Sequence, residues 1–182
     1  MFEQAVRKKE DKIHWYGIRV FYNRISPFKE ALDEYSIRYF IPMHTVEKQI
    51  RGQEVSVHEP LVGSLVFVQT TEERLKALQM KFAGRIASYT NPDDGKPAVI
   101  PDKQMDQFMW LCELRDVGLE YLGDDAPEYH QGDRVRVIHG VFKGLEGHIK
   151  RIRRDRRLIV TVEGVAAFAT GFIPPAHLEI IS

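Results

Sequence analysis

The segment between residues 150 and 157 has the highest density of basic side chains and the clearest capacity to bind a ligand. The segment reads KRIRRDRR, and its basic members are Lys150, Arg151, Arg153, Arg154, Arg156 and Arg157. Ammonium and guanidinium groups at this density bind phosphate, so the segment is a candidate for contact with RNA or DNA. A solvated strand and turn would have the same composition, and charge alone does not choose between these two interpretations.

Side chains of the kind used in catalysis or metal binding are scattered. Seven histidines stand singly, without an HExxH motif or a His and Cys spacing that would build a metal site. The adjacent acids Asp124 and Asp125 lie in a polar segment, whereas general acid and base catalysis needs a pocket. Cys112, the single cysteine, falls on an apolar helix face and is interpreted as a core residue rather than a nucleophile. We therefore expect a protein that is not an enzyme and uses no metal or cofactor.

The distribution of charge divides the chain into three segments. The 182 residues carry 26 basic and 26 acidic side chains, so bulk charge does not assign the protein to nucleic acid. Residues 116–128 contain five acids and no base, a composition typical of a solvated connector. Residues 129–182 contain nine bases and five acids. The predicted domains are therefore residues 13–115 and 129–182, joined by an acidic linker at 116–128.

Composition also bears on the cellular compartment. A single cysteine excludes an intramolecular disulfide framework, and no stretch approaches the ~20 apolar residues of a membrane helix. Residues 1–10 lack the apolar core of a secretory signal. We expect a cytoplasmic protein without a membrane partner.

Strand and helix signals alternate in the first domain. A strand is predicted over 14–22, and a helix begins at Ser26-Pro27. Extended segments at 39–50 and 54–69 read as a hairpin reversing at Arg51-Gly52-Gln53. Two more helices follow, one after a capping box of Thr70 and Glu73 and one from Asp102. This order favours an α+β fold, an antiparallel or mixed sheet with helices mainly on one face.

Short strands dominate the second domain. They are predicted at 134–139, 147–153, 158–163, 166–172 and 177–181. At this size a five-stranded barrel is the natural way to avoid open sheet edges.

The segment 132–149 carries the most specific motif. It reads GDRVRVIHGVFKGLEGHI, with apolar residues alternating with charged ones and then glycines at 140, 144 and 147, where a tight loop joins two strands. This pattern resembles the KOW motif of NusG and of ribosomal proteins. The resemblance implies a small SH3-like β-barrel for residues 129–182.

The first domain resembles the NusG N-terminal domain, an α/β sandwich. The matching features are Trp15-Tyr16 with a helix after it, Ile41-Pro42 ahead of a strand that ends at Arg51-Gly52-Gln53, and PLVGSLVFV at 60–68. Together the resemblances cover residues 13–182. The tail at 162–174 looks more like the specialised, UpxY-type NusG paralogues than the housekeeping protein.

The resemblance implies a transcription elongation and antitermination factor that binds RNA polymerase through its N-terminal domain. The implied polymerase-binding residues are Trp15, Tyr16, Pro60, Leu61, Val62, Gly63, Ser64 and Leu65. The tyrosine usual in this surface is absent here. For the KOW domain the implied partner is Rho or the ribosomal protein that doubles as NusE, and the matching contact residues are Val141, Phe142 and Phe168. We expect Phe142 to be exposed, because it sits in a glycine-flanked loop.

Two other interpretations assign the chain to different classes of binding protein. An RRM fold has the same element order but needs stacking aromatics, and its best candidate strand, 62–68, offers only Phe67. A ribosome-associated or RNA-binding KOW protein would use the basic segment but leaves the NusG-like first half unexplained.

Overall fold

The computed structural model describes residues 12–22, 24–114 and 117–181. Its elements are β1 (His14–Val20), α1 (Ile25–Glu34), β2 (Arg38–Phe40), β3 (Met43–Ile50), β4 (Gln53–Pro60), β5 (Leu65–Thr70), α2 (Glu72–Lys81), β6 (Ile86–Ser88), β7 (Val99–Ile100), α3 (Asp102–Glu113), β8 (Glu120–Asp124), β9 (Arg134–Val137), β10 (Glu146–Ile152), β11 (Asp155–Val162), β12 (Ala166–Phe172) and β13 (Leu178–Ile180). Short 3-10 helices cover Pro127–His130 and Pro175–His177. The predicted α+β fold class is confirmed. Residues 1–10, on which the expected absence of a secretory signal rests, lie outside the described residues. The predicted domain boundary between 115 and 116 lies outside them as well.

The N-terminal module, β1 to α3, is built on an antiparallel sheet of order β2-β5-β1-β6, with β7 also pairing with β1. Side chains of a strand alternate between the two faces of its sheet, so β1 contributes to two separate cores. Tyr16, Ile18 and Val20 pack with α1 and α2 on one face. Trp15 packs on the opposite face, against α3. Two helices therefore cover one face and the third helix covers the other.

The helix starts differ slightly from those predicted. Arg24 precedes α1 without a side-chain cap, so Ser26 lies inside the first turn instead of capping it. The cap of α2 is Thr71, whose hydroxyl accepts a hydrogen bond from the backbone N–H of Arg74 at 3.3 Å. Thr70 cannot serve, because it is still paired with His14 in the sheet.

The predicted hairpin is present, although it is shorter than expected. Strands β3 and β4 form a separate two-stranded sheet that reverses at Arg51-Gly52, and most of its side chains are exposed. The chain enters this sheet after Pro42 and leaves it at Leu61. At this base of the hairpin the Leu61 N–H donates to the Pro42 carbonyl at 2.8 Å. The flanking strands β2 and β5 belong to the main sheet instead.

The C-terminal module, β8 to β13, is one antiparallel sheet of order β13-β9-β10-β11-β12-β8 around an apolar cluster. Strands β9 to β13 lie where the sequence predicts them. The expectation of a solvated connector at 116–128 is wrong for β8, which pairs with β12. Two features explain this pairing: β12 would otherwise have an open edge, and the Tyr121 ring packs at a tilt against the Phe168 ring with centroids 5.6 Å apart.

Among the described residues, no helix combines the length and the apolar character needed to cross a membrane.

Candidate functional site

The face of the N-terminal sheet that carries Trp15 is covered by α3 and by the C-terminal module together. One cluster joins the two modules, and each of its core members is at most 7% exposed. Its core consists of Trp15, Val62, Leu65, Phe67, Ile100, Met105 and Phe108 from the N-terminal module and Val162, Val165, Ala166 and Phe168 from the C-terminal module. At the centre, the rings of Phe108 and Phe168 lie 4.4 Å apart between centroids. The modules therefore share a continuous core, which we call the shared core.

Gly17 allows this close approach. It lies in the middle of β1, and a Cβ atom at this position would stand 2.6 and 2.9 Å from the two methyl groups of Val165. Val165 itself is fully buried. A glycine inside a strand often marks a place where another part of the chain approaches closely, and Gly17 is such a position.

Polar contacts border the shared core. The Asp124 carboxylate on β8 accepts hydrogen bonds from Arg19 and, at 3.2 Å each, from the hydroxyl groups of Tyr89 and Tyr121. Burial alone would raise the pKa of Asp124, but the bond from the Arg19 guanidinium and the two hydroxyl bonds lower it below its ordinary value. Arg19 and Tyr89 belong to the N-terminal module, so this cluster links the two modules.

A second polar link lies at the start of α3. The side-chain amide of Gln104 donates to the Glu163 carboxylate at 3.2 Å, and its carbonyl accepts from the Glu163 backbone N–H at 3.1 Å. The link holds the turn between β11 and β12 against the helix.

Helix α3 packs against both modules. Met105 and Phe108 belong to the shared core, whereas Leu111 is fully buried in the core of the C-terminal module. Cys112 is half-buried beside the shared core, and burial raises the pKa of its thiol to about 12. The prediction that Cys112 is a packing residue agrees with this environment.

The predicted polymerase-binding residues are divided by the structure. Trp15, Val62 and Leu65 are buried in the shared core, and Leu61 packs half-buried at its margin. Pro60 and Ser64 are half-buried and Gly63 is exposed in the same loop. Tyr16 is separated from the rest, because it points to the opposite face of the sheet among the residues packed by α1 and α2.

A groove of about 870 Å³ remains open beside the shared core. It lies between the base of the β3–β4 hairpin and the C-terminal end of α3. Its apolar lining includes Phe40, Ile41, Met43, Leu111, Leu114 and Leu119. This groove therefore leaves a margin of the covered face accessible.

The residues predicted to contact a partner of the C-terminal module have three different environments. Val141 is 66% exposed, Phe142 is 7% exposed and Phe168 is fully buried in the shared core. The expected exposure of Phe142 is wrong. The loop curls inward, with the Gly144 N–H donating to the Val137 carbonyl at 2.8 Å, and places Phe142 in the core of the C-terminal module.

The basic residues 150–157 form the end of the β10–β11 hairpin. Its turn is Arg153-Arg154, and both residues have positive φ angles. Lys150 and Arg157 are half-buried, while the other four basic side chains are exposed. The structure thus brings all six predicted residues together in one element.

Comparison with known proteins assigns the chain to a family. The sequence model of the family described as "Transcription termination factor nusG" matches residues 13–109, more than half of the chain. A solved structure described as "Domain interaction in Thermotoga maritima NusG" is 18% identical, with a TM-score of 0.50, and the match covers 94% of this chain and 98% of that chain. At this identity the likeness supports the fold. The match over 13–109 shows that this chain belongs to the NusG family of transcription factors.

Proposed function

We propose that the protein is a cytoplasmic transcription elongation and antitermination factor. In this proposal the N-terminal module binds RNA polymerase through its apolar sheet face and the adjoining loop at 60–65. The C-terminal module recruits a second partner, Rho or the ribosomal protein that doubles as NusE. We further propose that the protein is an operon-specific paralogue of the UpxY type.

The observation that carries the proposal is the apolar face itself. Separation of the C-terminal module would expose the parts of this face that Val165 and Phe168 now cover, at Gly17 of β1 and at Phe108 of α3. A contiguous apolar patch of this kind marks a protein-binding surface. The surface belongs to the segment that matches the NusG family, so a partner of that family is the occupant we propose.

In this proposal the C-terminal module and the polymerase compete for the same apolar face. Phe168 occupies the middle of the face, so the polymerase gains full access only when the modules separate. The groove beside the shared core offers a first point of contact, because its lining residues Phe40, Cys112 and Leu119 pack against the shared core. We call the structure in which the C-terminal module packs on this face the closed arrangement. Val141 stays exposed in the closed arrangement and is the candidate contact for the second partner.

The proposal is tested by binding of the full chain to its cognate RNA polymerase, measured by biolayer interferometry. Leu61→Glu places a charge at the margin of the apolar face and should weaken binding about tenfold, which corresponds to about 1.4 kcal/mol for the loss of one apolar contact and the burial of a charge. Val99→Glu is the matched control, because Val99 is 48% exposed outside the shared core. Phe168→Ala should strengthen binding by loosening the closed arrangement.

Failure of every variant to bind polymerase, Phe168→Ala included, would refute the polymerase proposal. The second candidate function is a ribosome-associated or RNA-binding KOW protein, and the basic β10–β11 hairpin favours it. Binding to ribosomes or RNA in the absence of any polymerase binding would support that candidate.

A further inference from the structure

We propose that the end of the β10–β11 hairpin is a binding site for the phosphate backbone of nucleic acid. The contact residues are Arg151, Arg153, Arg154 and Arg156. This inference does not depend on the polymerase contact, because it rests on a different module and a different surface.

The turn of the hairpin has an unfavourable sequence for its shape. Ile152 pairs with Asp155, so only Arg153 and Arg154 form the turn, with φ angles of 49° and 79°. Two-residue turns with positive φ at both positions strongly favour Asn-Gly, because a Cβ atom is strained there. The other hairpin of this kind, at Arg51-Gly52, has a glycine at its second position, with φ 81°. Folding alone therefore does not explain the second arginine.

Like charges face each other across the hairpin. Arg151 is paired with Arg156, and Lys150 is paired with Arg157. Directly opposed side chains of the same charge destabilise a pair of strands. The hairpin thus combines a strained turn with two repulsive pairs, and an anionic ligand would relieve the repulsion.

The two faces of the hairpin are used differently. On the inner face, Lys150 donates to the Glu128 carbonyl at 3.1 Å and Arg157 donates to the Glu120 carboxylate at 2.5 Å. These two side chains anchor the hairpin to the preceding segment. Their structural partners leave them poorly placed to bind a ligand.

The outer face and the turn carry charges without neutralising partners. Within the described parts of the chain, Arg151, Arg154 and Arg156 have no acidic group in ion-pair distance. Arg153 lies 3.6 Å from Glu120, but its side chain is 82% exposed and such a pair is weak. All four are arginines, whose planar guanidinium groups bind phosphate oxygens in pairs.

The shape of the element favours nucleic acid over an acidic protein segment. A narrow two-stranded ribbon with guanidinium groups on its outer face and tip fits the major groove of duplex DNA, which is about 12 Å wide. The same groups can follow the backbone of RNA, so phosphodiester is the shared ligand chemistry. The test therefore compares duplex DNA, duplex RNA and single-stranded RNA.

The experiment measures fluorescence anisotropy of each labelled nucleic acid with the full chain between about 50 and 200 mM salt. The variant Arg151→Gln/Arg154→Gln/Arg156→Gln should lose at least about tenfold in affinity, and its log–log salt slope should fall by about 2 to 3. The matched control Arg24→Gln/Arg85→Gln/Lys143→Gln removes the same charge from exposed positions elsewhere and should keep the wild-type affinity.

A second variant separates binding from folding. Arg153→Asn/Arg154→Gly gives the turn its preferred sequence, so it should fold at least as well as the wild type and still bind more weakly. Equal losses in the control variant, no binding to any of the three nucleic acids, or equal affinity for poly-glutamate would each overturn the proposal. Because no polymerase is present, these results are independent of the polymerase test.

Discussion

Gly17 offers the sharpest test of how the two modules of this NusG-family protein are held together. The change Gly17→Ala adds one methyl group to the middle of β1. Alanine is at least as favourable as glycine in a strand, so the N-terminal sheet itself should tolerate the change. The new Cβ would lie 2.6 Å from a methyl carbon of Val165, closer than two non-bonded carbon atoms approach each other in proteins.

The expected cost follows from the surroundings of Val165. This residue is fully buried, and its β-branched side chain has few alternative rotamers, so the clash cannot be relieved by a simple rotation. Overpacking of this kind costs about 1–3 kcal/mol. If the modules respond by separating, the ratio of open to closed molecules rises about 5- to 150-fold, since each 1.4 kcal/mol is a factor of ten.

The assay uses the tryptophans of the chain, because both lie where the modules meet. Trp15 is buried in the shared core, and Trp110 packs against the core of the C-terminal module. Gly17→Ala should increase acrylamide quenching and shift the emission to longer wavelength. The double variant Gly17→Ala/Val165→Ala removes the clashing methyl groups and should restore the wild-type signal. Unchanged quenching in Gly17→Ala, or an increase that Val165→Ala does not reverse, would refute the reasoning.

Three further predictions concern the turn, the polar link and the thiol. Arg153→Asn/Arg154→Gly should raise the free energy of unfolding by about 1–2 kcal/mol, because it removes positive-φ strain; thermal unfolding should shift up by about 2–8 °C, and no shift would contradict the strain argument. The pKa of Asp124 is lowered in the closed arrangement, so the ionised carboxylate stabilises closure above its ordinary pKa of 3.8, and this stabilisation is lost as the pH falls through the lowered pKa. Acrylamide quenching of the tryptophans should therefore rise below about pH 4. The Asp124→Asn variant should lack this pH-dependent rise. Cys112, with a pKa raised to about 12, should react with iodoacetamide at pH 8 at least about tenfold more slowly than a thiol at the ordinary 9.0, because its smaller thiolate fraction is only partly offset by the higher nucleophilicity of a more basic thiolate; labelling as fast as that of a free thiol would show that the thiol is not buried in solution.

Local patterns in the sequence predicted most of the elements. Hydrophobic periodicity located α3 and the strands of the C-terminal module, and Gly52 located the reversal of the β3–β4 hairpin. These features depend on a few neighbouring residues, so they can be read without knowledge of the rest of the chain.

The closed arrangement could not be predicted in the same way. It depends on complementarity between Phe108 and Phe168, which are far apart in sequence, and on the close approach of Val165 to Gly17. The five acids of the 116–128 segment indicated a solvated connector, although the segment also contains Tyr121, the residue that packs β8 against Phe168. Gly17 was the one available signal, because a glycine in the middle of an aromatic-rich strand indicates close contact with another segment.

The sequence likewise could not predict which of the candidate contact side chains are exposed and which are buried. Phe142 has glycines on either side of its loop, a pattern compatible with exposure or with a tightly curled turn. Its burial follows from the hydrogen bonds that close the loop, such as the one from Gly144 to Val137. The six basic residues at 150–157 are adjacent in the sequence and lie in one hairpin, but only the fold distinguishes the anchored pair from the exposed four.

The shared core also has a consequence for synthesis of the protein on the ribosome. Phe108 emerges well before Phe168, with 60 residues between their positions in the chain. At roughly 5–20 residues per second, this interval lasts about 3–12 s, during which the apolar face of the nascent N-terminal module lacks its C-terminal cover. Chaperones and other apolar ligands can reach the face in that period. Such a ligand therefore competes for this surface before the C-terminal module is complete.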